Sequence, residues 1–315
     1  MRTVTLTYPV PPETAAEWAQ PQVVALGQFD GLHRGHASVI TSAVALARKE
    51  GVPAAVMTFH PHPKDVMGKG DYEGYLTPQP DKQELLAGMG VDILYIVEFN
   101  EQLSRVSPQN FVSVMLLPLQ VVTAVVGFDF RFGYQGEGDA DMLRALGQGV
   151  MNVETVPPFL IDGVKVSSSG IRKSLQNGEL ATANDWFGRC YHLRGTVGHG
   201  EKRGRTIGFP TANLQLEEHF VVPAKGVYAV RVFFNNTLLF GVMNVGVKPT
   251  FHEGMIAPSF EVHVFDFEGD LYDKELKVEL VAYIRPERKF ESIQALIAQI
   301  GDDAETAKKL LGTNS

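Results

Sequence analysis

Short apolar runs alternate with segments of helical periodicity through the first half of the chain. Val23, Val24, Ala25 and Leu26 form an apolar run that predicts a buried strand, and Gly27 and Gly31 let the chain turn sharply after it. Val39, Ala43, Leu46 and Ala47 then recur at helical spacing up to a stop at Gly51. Residues 54–59 predict a second strand, running into His60-Pro61-His62-Pro63, whose prolines argue against helix and central strand alike. A helix is expected over 78–88 with Thr77 as N-cap, then a strand over 92–99, a helix opened by Ser107-Pro108, and a strand over 121–127. Strands alternating with helices imply a doubly wound parallel sheet, an α/β architecture whose ligands sit beyond the carboxyl ends of the strands. His33 and His36, residues 60–63 and residues 129–138 all fall at such exits.

The pattern changes near Tyr191. Alternating runs at 191–197, 227–234, 237–245, 260–267 and 276–283 predict an antiparallel β-barrel, with Asn235-Asn236 as a tight turn and Glu268-Gly269-Asp270 as another hairpin turn. Residues 291–300 and 303–311 read as two amphipathic helices packed on its outside. The expected domains are 1–188 and 189–315. The segment 1–20 carries no interpretable motif.

Length and composition narrow the field. A chain of 315 residues has room for two domains, and 44% hydrophobic with 20% charged residues are globular values. A formal charge of −8 argues against a nucleic-acid or anionic-membrane surface, yet leaves room for locally positive sites that take small anions. The single cysteine, Cys190, excludes an internal disulfide framework and fits a reducing compartment. Residues 1–10 hold no signal-like pattern, and no apolar run approaches the ~18–20 residues a membrane span requires. The expected location is the cytoplasm.

A strand, a Gly-rich turn and a helix leave backbone N–H groups and a positive dipole end facing the turn, which suits a phosphate. The stretch Gly27-x-Phe29-Asp30-Gly31-x-His33-x-Gly35-His36 fills that turn and differs from the G-x-x-x-x-G-K-[ST] loop. It resembles the His-x-Gly-His signature of nucleotidyltransferases, and in full that of prokaryotic FAD synthetases. The resemblance implies a Rossmann-like nucleotidyltransferase domain in which Gly27, Phe29, Asp30, Gly31 and Gly35 surround ATP while His33 and His36 stabilise the transferring phosphoryl group. It also implies flavin contacts from Phe59, Pro61, His62 and Pro63, and from Phe128, Asp129 and Arg131 of Gly127-Phe128-Asp129-Phe130-Arg131-Phe132-Gly133. In Val166-Ser167-Ser168-Ser169-Gly170-Ile171-Arg172 the serines read equally as helix caps or, with Arg172, as a pyrophosphate grip. The chain departs from the family at Gly170, commonly Arg, and at His60, often Glu.

In the second half, residues 195–213 join a glycine-rich basic flap, with Gly198, Lys202, Arg203, Arg205 and Gly208, to Pro210-Thr211-Ala212-Asn213. Thr211 and Asn213 offer hard oxygen ligands close together, suited to Mg²⁺ beside nucleotide phosphates. This pairing resembles riboflavin kinases, as do Lys225-Gly226-Val227-Tyr228, residues 241–246, Glu261-Val262-His263 and Tyr283-Ile284-Arg285-Pro286. Strand alternation places Glu261 and His263 on one face. A cross-strand ion pair is the ordinary reading of such a glutamate; the resemblance implies a general base instead. Taken together, the resemblances imply a bifunctional enzyme that phosphorylates riboflavin to FMN and adenylylates FMN to FAD, with ATP and Mg²⁺. The rival readings are a kinase with a degenerate first domain and a non-catalytic flavin-binding regulator.

Overall fold

The computed structural model describes residues 1–68, 73–199, 208–249 and 256–313. The chain packs as two compact units, Met1–Tyr72 with Thr77–Val166, and Glu73–Leu76 with Ser167–Ser315.

The first unit is built on six parallel strands: β1 (Arg2–Leu6), β2 (Gln22–Leu26), β3 (Ala54–His60), β4 (Ile93–Glu98), β5 (Val121–Gly127) and β6 (Asn152–Val156). Their order is β1-β4-β3-β2-β5-β6, so succession reverses between β2 and β5. Both faces are covered, which is why β2 is buried at every position and reads as an unbroken apolar run. The helix Arg34–Glu50 buries Val39, Ile40, Ala43 and Ala47 and ends at Gly51 in the left-handed region. Two edge strands, β1 and β6, escape the sequence pattern, because β1 joins β4 across a long separation and β6 is half-exposed. Thr77 is not a cap: the helix Gln79–Gly88 starts after Pro78, and the Thr77 amide donates to Asp30 Oδ1 at 3.2 Å. The prolines at 61 and 63 do admit one helical turn, Pro63–Val66, with proline where no amide is needed. A two-stranded ribbon, β7 (Leu160–Ile161) with β8 (Val164–Lys165), follows β6.

The second unit is a closed antiparallel barrel of β9 (Tyr191–Gly198), β10 (Ala212–Leu216), β11 (Gly226–Phe234), β12 (Thr237–Pro249), β13 (Ile256–Val264) and β14 (Glu275–Pro286), in the order β10-β13-β12-β11-β14-β9. β11 and β12 meet through Asn235 and Asn236, both at positive φ, as a tight hairpin requires. Residues 268–270 are not a hairpin turn, because β13 and β14 are not neighbours in the barrel. The helices Ser168–Gln176 and Leu180–Phe187 place Ile171, Leu175, Leu180, Ala183 and Phe187 in the same core as the barrel's Leu193, Val230 and Val262. Residues 73–76 belong here too, through a parallel bridge from Tyr75 to Phe220. The two predicted C-terminal helices are one, Ile293–Leu311, capped by Ser292. Gly301 weakens a helix by only about 1 kcal/mol, and Asp303 beside it is anchored by Arg285 at 2.7 Å. No helix among the described residues is long and apolar enough to cross a membrane.

Candidate active sites

In the first unit, β2 and β5 are the pair at which strand order reverses, and the loops at their carboxyl ends carry the sequence-predicted groups. His33 is the N-cap of the helix Arg34–Glu50: its Nδ1 accepts from the His36 amide at 3.2 Å. The two imidazoles stack with centroids 3.7 Å apart, and the Phe29 edge meets His36 at 5.5 Å. Glycine leaves room for the rings on both sides of this arrangement. A Cβ on Gly35 would lie 3.1 Å from the His33 ring, and one on Gly27 would lie 2.9 Å from the Phe29 ring. Gly31 has φ of 95°, open to glycine at little cost. Phe29, Asp30 and His33 are buried, so Asp30 braces the turn through Thr77 rather than facing solvent.

A cavity of about 1160 Å³ opens at this switch point. Gly27, Phe29, His36, Phe59, Pro63, Asp129 and Arg131 line it; Pro61, His62 and Phe128 do not. Its apolar wall includes Phe99 and Phe111, packed around Phe59 with centroids 6.4 and 6.3 Å away. His62 caps Pro63–Val66 by accepting from the Lys64 amide. Phe128 is 45% exposed, with Lys165 Nζ 4.4 Å above its ring and 2.5 Å from Asp129 Oδ2. Sequence reasoning missed Lys165, Phe99 and Phe111; the two phenylalanines stand at or near strand and helix ends, where an aromatic ring has no periodic signature. It also missed Lys82, which is 2% exposed beneath the turn with Nζ 3.3 Å from the Gln28 carbonyl. Burial pushes the Lys82 ammonium down to about 8, opposed by the nearby Asp30 carboxylate.

Ser168 and Arg172 lie in the second unit. Ser167, not Ser168, caps their helix, accepting from the Gly170 amide at 3.2 Å, and Arg172 Nη2 donates to the Gly74 carbonyl at 3.0 Å. At Gly170 a Cβ would lie 2.3 Å from the Trp186 ring. The indole therefore occupies the space that a side chain at 170 would need, which gives the family departure a local cause.

On the barrel, Thr211 and Asn213 alternate with buried Ala212 and Leu214, so both project outward. Asn213 is directly opposite Glu261 across β10 and β13, and Asn244 is opposite Glu261 on the other side. Glu261 and His263 share the outer face, with Phe260, Val262 and Val264 turned into the core. His263 Nδ1 is 2.8 Å from the Pro210 carbonyl. Lys248, which the sequence pattern did not single out, joins the group: its Nζ is 2.7 Å from Asn213 Oδ1 and 2.9 Å from Glu261 Oε1. The position between these two oxygens thus already holds a positive charge, the property a cation ligand set must have. Thr211 also borders a small cleft of about 90 Å³ with Pro210, Asp270 and Tyr272. Gly198 pairs with Asn213, and a Cβ on it would lie 2.2 Å from the Gln215 side chain. Gly208 has φ of 85°. Lys202, Arg203 and Arg205 lie outside the described residues.

Comparison with known proteins agrees with both halves. Residues 15–170 match the family described as FAD synthetase, and residues 187–311 match riboflavin kinase. The bifunctional riboflavin kinase/FMN adenylyltransferase of Bacillus subtilis is 41% identical, over 98% of this chain and 97% of its own. That of Escherichia coli is 38% identical, over 92% and 93%. A crystal structure from Streptococcus pneumoniae, described as a macrolide-efflux protein, superposes with a TM-score of 0.88 at 31% identity, covering 98% of this chain and 99% of that one. With both halves matched in order and nearly the full length aligned, the chain belongs to the bifunctional riboflavin kinase/FMN adenylyltransferase family.

Proposed function

We propose that this chain carries out both transfers of its family, with residues 1–188 as the adenylyltransferase segment and 189–315 as the kinase segment. The observation that supports the reading is that each half holds its own polar constellation, the stacked histidines on one helix N-terminus and the Asn213–Glu261 pair on the barrel. In the kinase reaction Glu261 takes the proton of the primary ribityl hydroxyl of riboflavin. Its oxygen bonds to the γ-phosphorus of ATP, and the bond to the β-phosphate oxygen breaks, releasing ADP. Thr211 and Asn213 would hold Mg²⁺, which would neutralise charge on the nucleotide phosphates. The Asn213 side chain fits a hard cation, since its Oδ1 already faces the Lys248 ammonium. Gly198 and Gly208 belong to the phosphate-binding set of the kinase segment.

In the adenylyl transfer the FMN phosphate oxygen bonds to the α-phosphorus of a second ATP, and pyrophosphate departs. His33 and His36, preorganised by stacking and by the helix cap, stabilise charge on the transferring group. The aromatic cavity wall receives the isoalloxazine ring. The cytoplasm is the fitting location, since one cysteine, Cys190, needs no oxidising compartment.

The test is incubation with riboflavin and Mg·ATP, with riboflavin, FMN and FAD resolved by chromatography. FMN followed by FAD is expected. FMN without FAD would leave a kinase alone, and no conversion would leave a flavin-binding regulator.

A further inference from the structure

The kinase set of the barrel contains a cation that no step of the reaction uses. Lys248 sits near the end of β12, and its register partner on β13 is Ala257, four residues from Glu261. To reach Glu261 its side chain must run back along the strand instead of extending into water. It does so, and its ammonium bridges the carboxylate at 2.9 Å and the Asn213 amide oxygen at 2.7 Å. The ammonium has three donors and no acceptor, so it serves both oxygens at once. The groups facing it are therefore the base of the reaction and one of the two proposed metal ligands.

We propose that Lys248 is a place-holding cation of the kinase site: it bridges the Asn213 amide oxygen and the Glu261 carboxylate, and competes with the divalent metal for Asn213. This rests on the assignment of Thr211 and Asn213 as the metal ligands. Two observations make the contact displaceable. The Lys248 and Glu261 side chains are 46% and 33% exposed, and an ion pair that accessible contributes little. A lysine ammonium also rides on a flexible four-carbon stem, so it can withdraw without moving β12. A divalent ion carries twice the charge to the same oxygen. Lys248 is thus a positioning residue, acting through Asn213 and Glu261 and forming no bond to the transferring phosphoryl group.

The test is direct metal binding to the full-length protein, with Mn²⁺ as the probe. Loss of the free Mn²⁺ paramagnetic resonance signal is followed in the presence of ADP and without turnover. Lys248→Met removes the competing charge and is expected to tighten Mn²⁺ binding about threefold to tenfold, whereas Lys248→Arg, which keeps the charge, is expected to stay near wild type. In steady state the Met variant should need correspondingly less Mg²⁺ for half-maximal FMN formation. A cooperative thermal melt at the wild-type midpoint reports that the barrel of each variant is folded. Unchanged or weaker Mn²⁺ binding in Lys248→Met, or equal tightening in Lys248→Arg, would overturn the proposal. The underlying metal assignment has its own arm: Asn213→Ala should weaken Mn²⁺ binding at least tenfold. If it does not, the ligand assignment fails first. If it does while Lys248→Met behaves as wild type, only the place-holding role fails.

Discussion

Lys82 shows how a single side chain can be decisive and still invisible in the sequence. It lies in the helix Gln79–Gly88, where a lysine ordinarily faces water, yet it is buried against the backbone of the turn that follows β2. The ordinary lysine value of 10.5 is lowered to about 8, with burial the larger cause. Between those pH values the unfolded chain holds a proton that the native chain does not, so stability rises with pH across that window. The rise attributable to this group is on the order of 3 kcal/mol. Urea denaturation midpoints at pH 7.5 and 10 are expected to increase in the wild type, and Lys82→Met should lose that increment. The histidines were legible because G-x-F-D-G-x-H-x-G-H is a local pattern. Lys82, Lys165 and Lys248 were not, because each becomes notable only through a partner 36 to 54 residues distant in the first unit, or across the barrel.

At the scale of elements, the strands that succeeded from sequence are those whose burial matches a simple period. β2 is apolar from Val23 to Leu26, and β13 alternates from Phe260 to Val264. β1 and β10 were missed for opposite reasons. β1 is an edge strand with little buried surface, while β10 begins inside the Pro210-Thr211-Ala212-Asn213 motif and reads as a loop. The C-terminal helix was split in two because Gly301, Asp302 and Asp303 look like a break. Tertiary pairing overrides that appearance: Arg285 Nε and Nη2 both donate to the Asp303 carboxylate, whose side chain is 5% exposed. Asp303→Ala leaves the guanidinium without its carboxylate, a loss of about 3–5 kcal/mol for a buried pair. A lowered thermal midpoint is expected, and adding Arg285→Met should recover part of it. If the single variant melts as wild type, the helix is held by its apolar face alone.

For the whole molecule, two compact units with separate cores give a division of labour that mutation can read. Glu261→Gln is expected to reduce FMN formation by at least 10²-fold, the lower range for a general base, and to leave FAD formation from supplied FMN intact. His36→Ala is expected to do the reverse, with adenylylation falling at least 10²-fold, as for removal of one preorganised charge-stabilising donor. Rates measured separately on riboflavin and on FMN decide both. A variant that impaired the two activities equally while melting normally would contradict the division. The switch of apolar periodicity from helical to alternating near Tyr191 marks where the barrel strands begin, whereas the second compact unit starts earlier, at Ser167, because the helices Ser168–Gln176 and Leu180–Phe187 share the barrel's core. The inclusion of residues 73–76 in the second unit was not legible in the sequence, since it depends on the bridge from Tyr75 to Phe220.

The indole over Gly170 has a consequence for anyone redesigning this chain. Placing an arginine at position 170, by a one-codon change, drives the new side chain into Trp186, whose ring would stand 2.3 Å from its first carbon. Positions 170 and 186 must therefore be randomised jointly in a mutant library, for a screen that varies either one alone will discard the arginine before its chemistry is ever sampled.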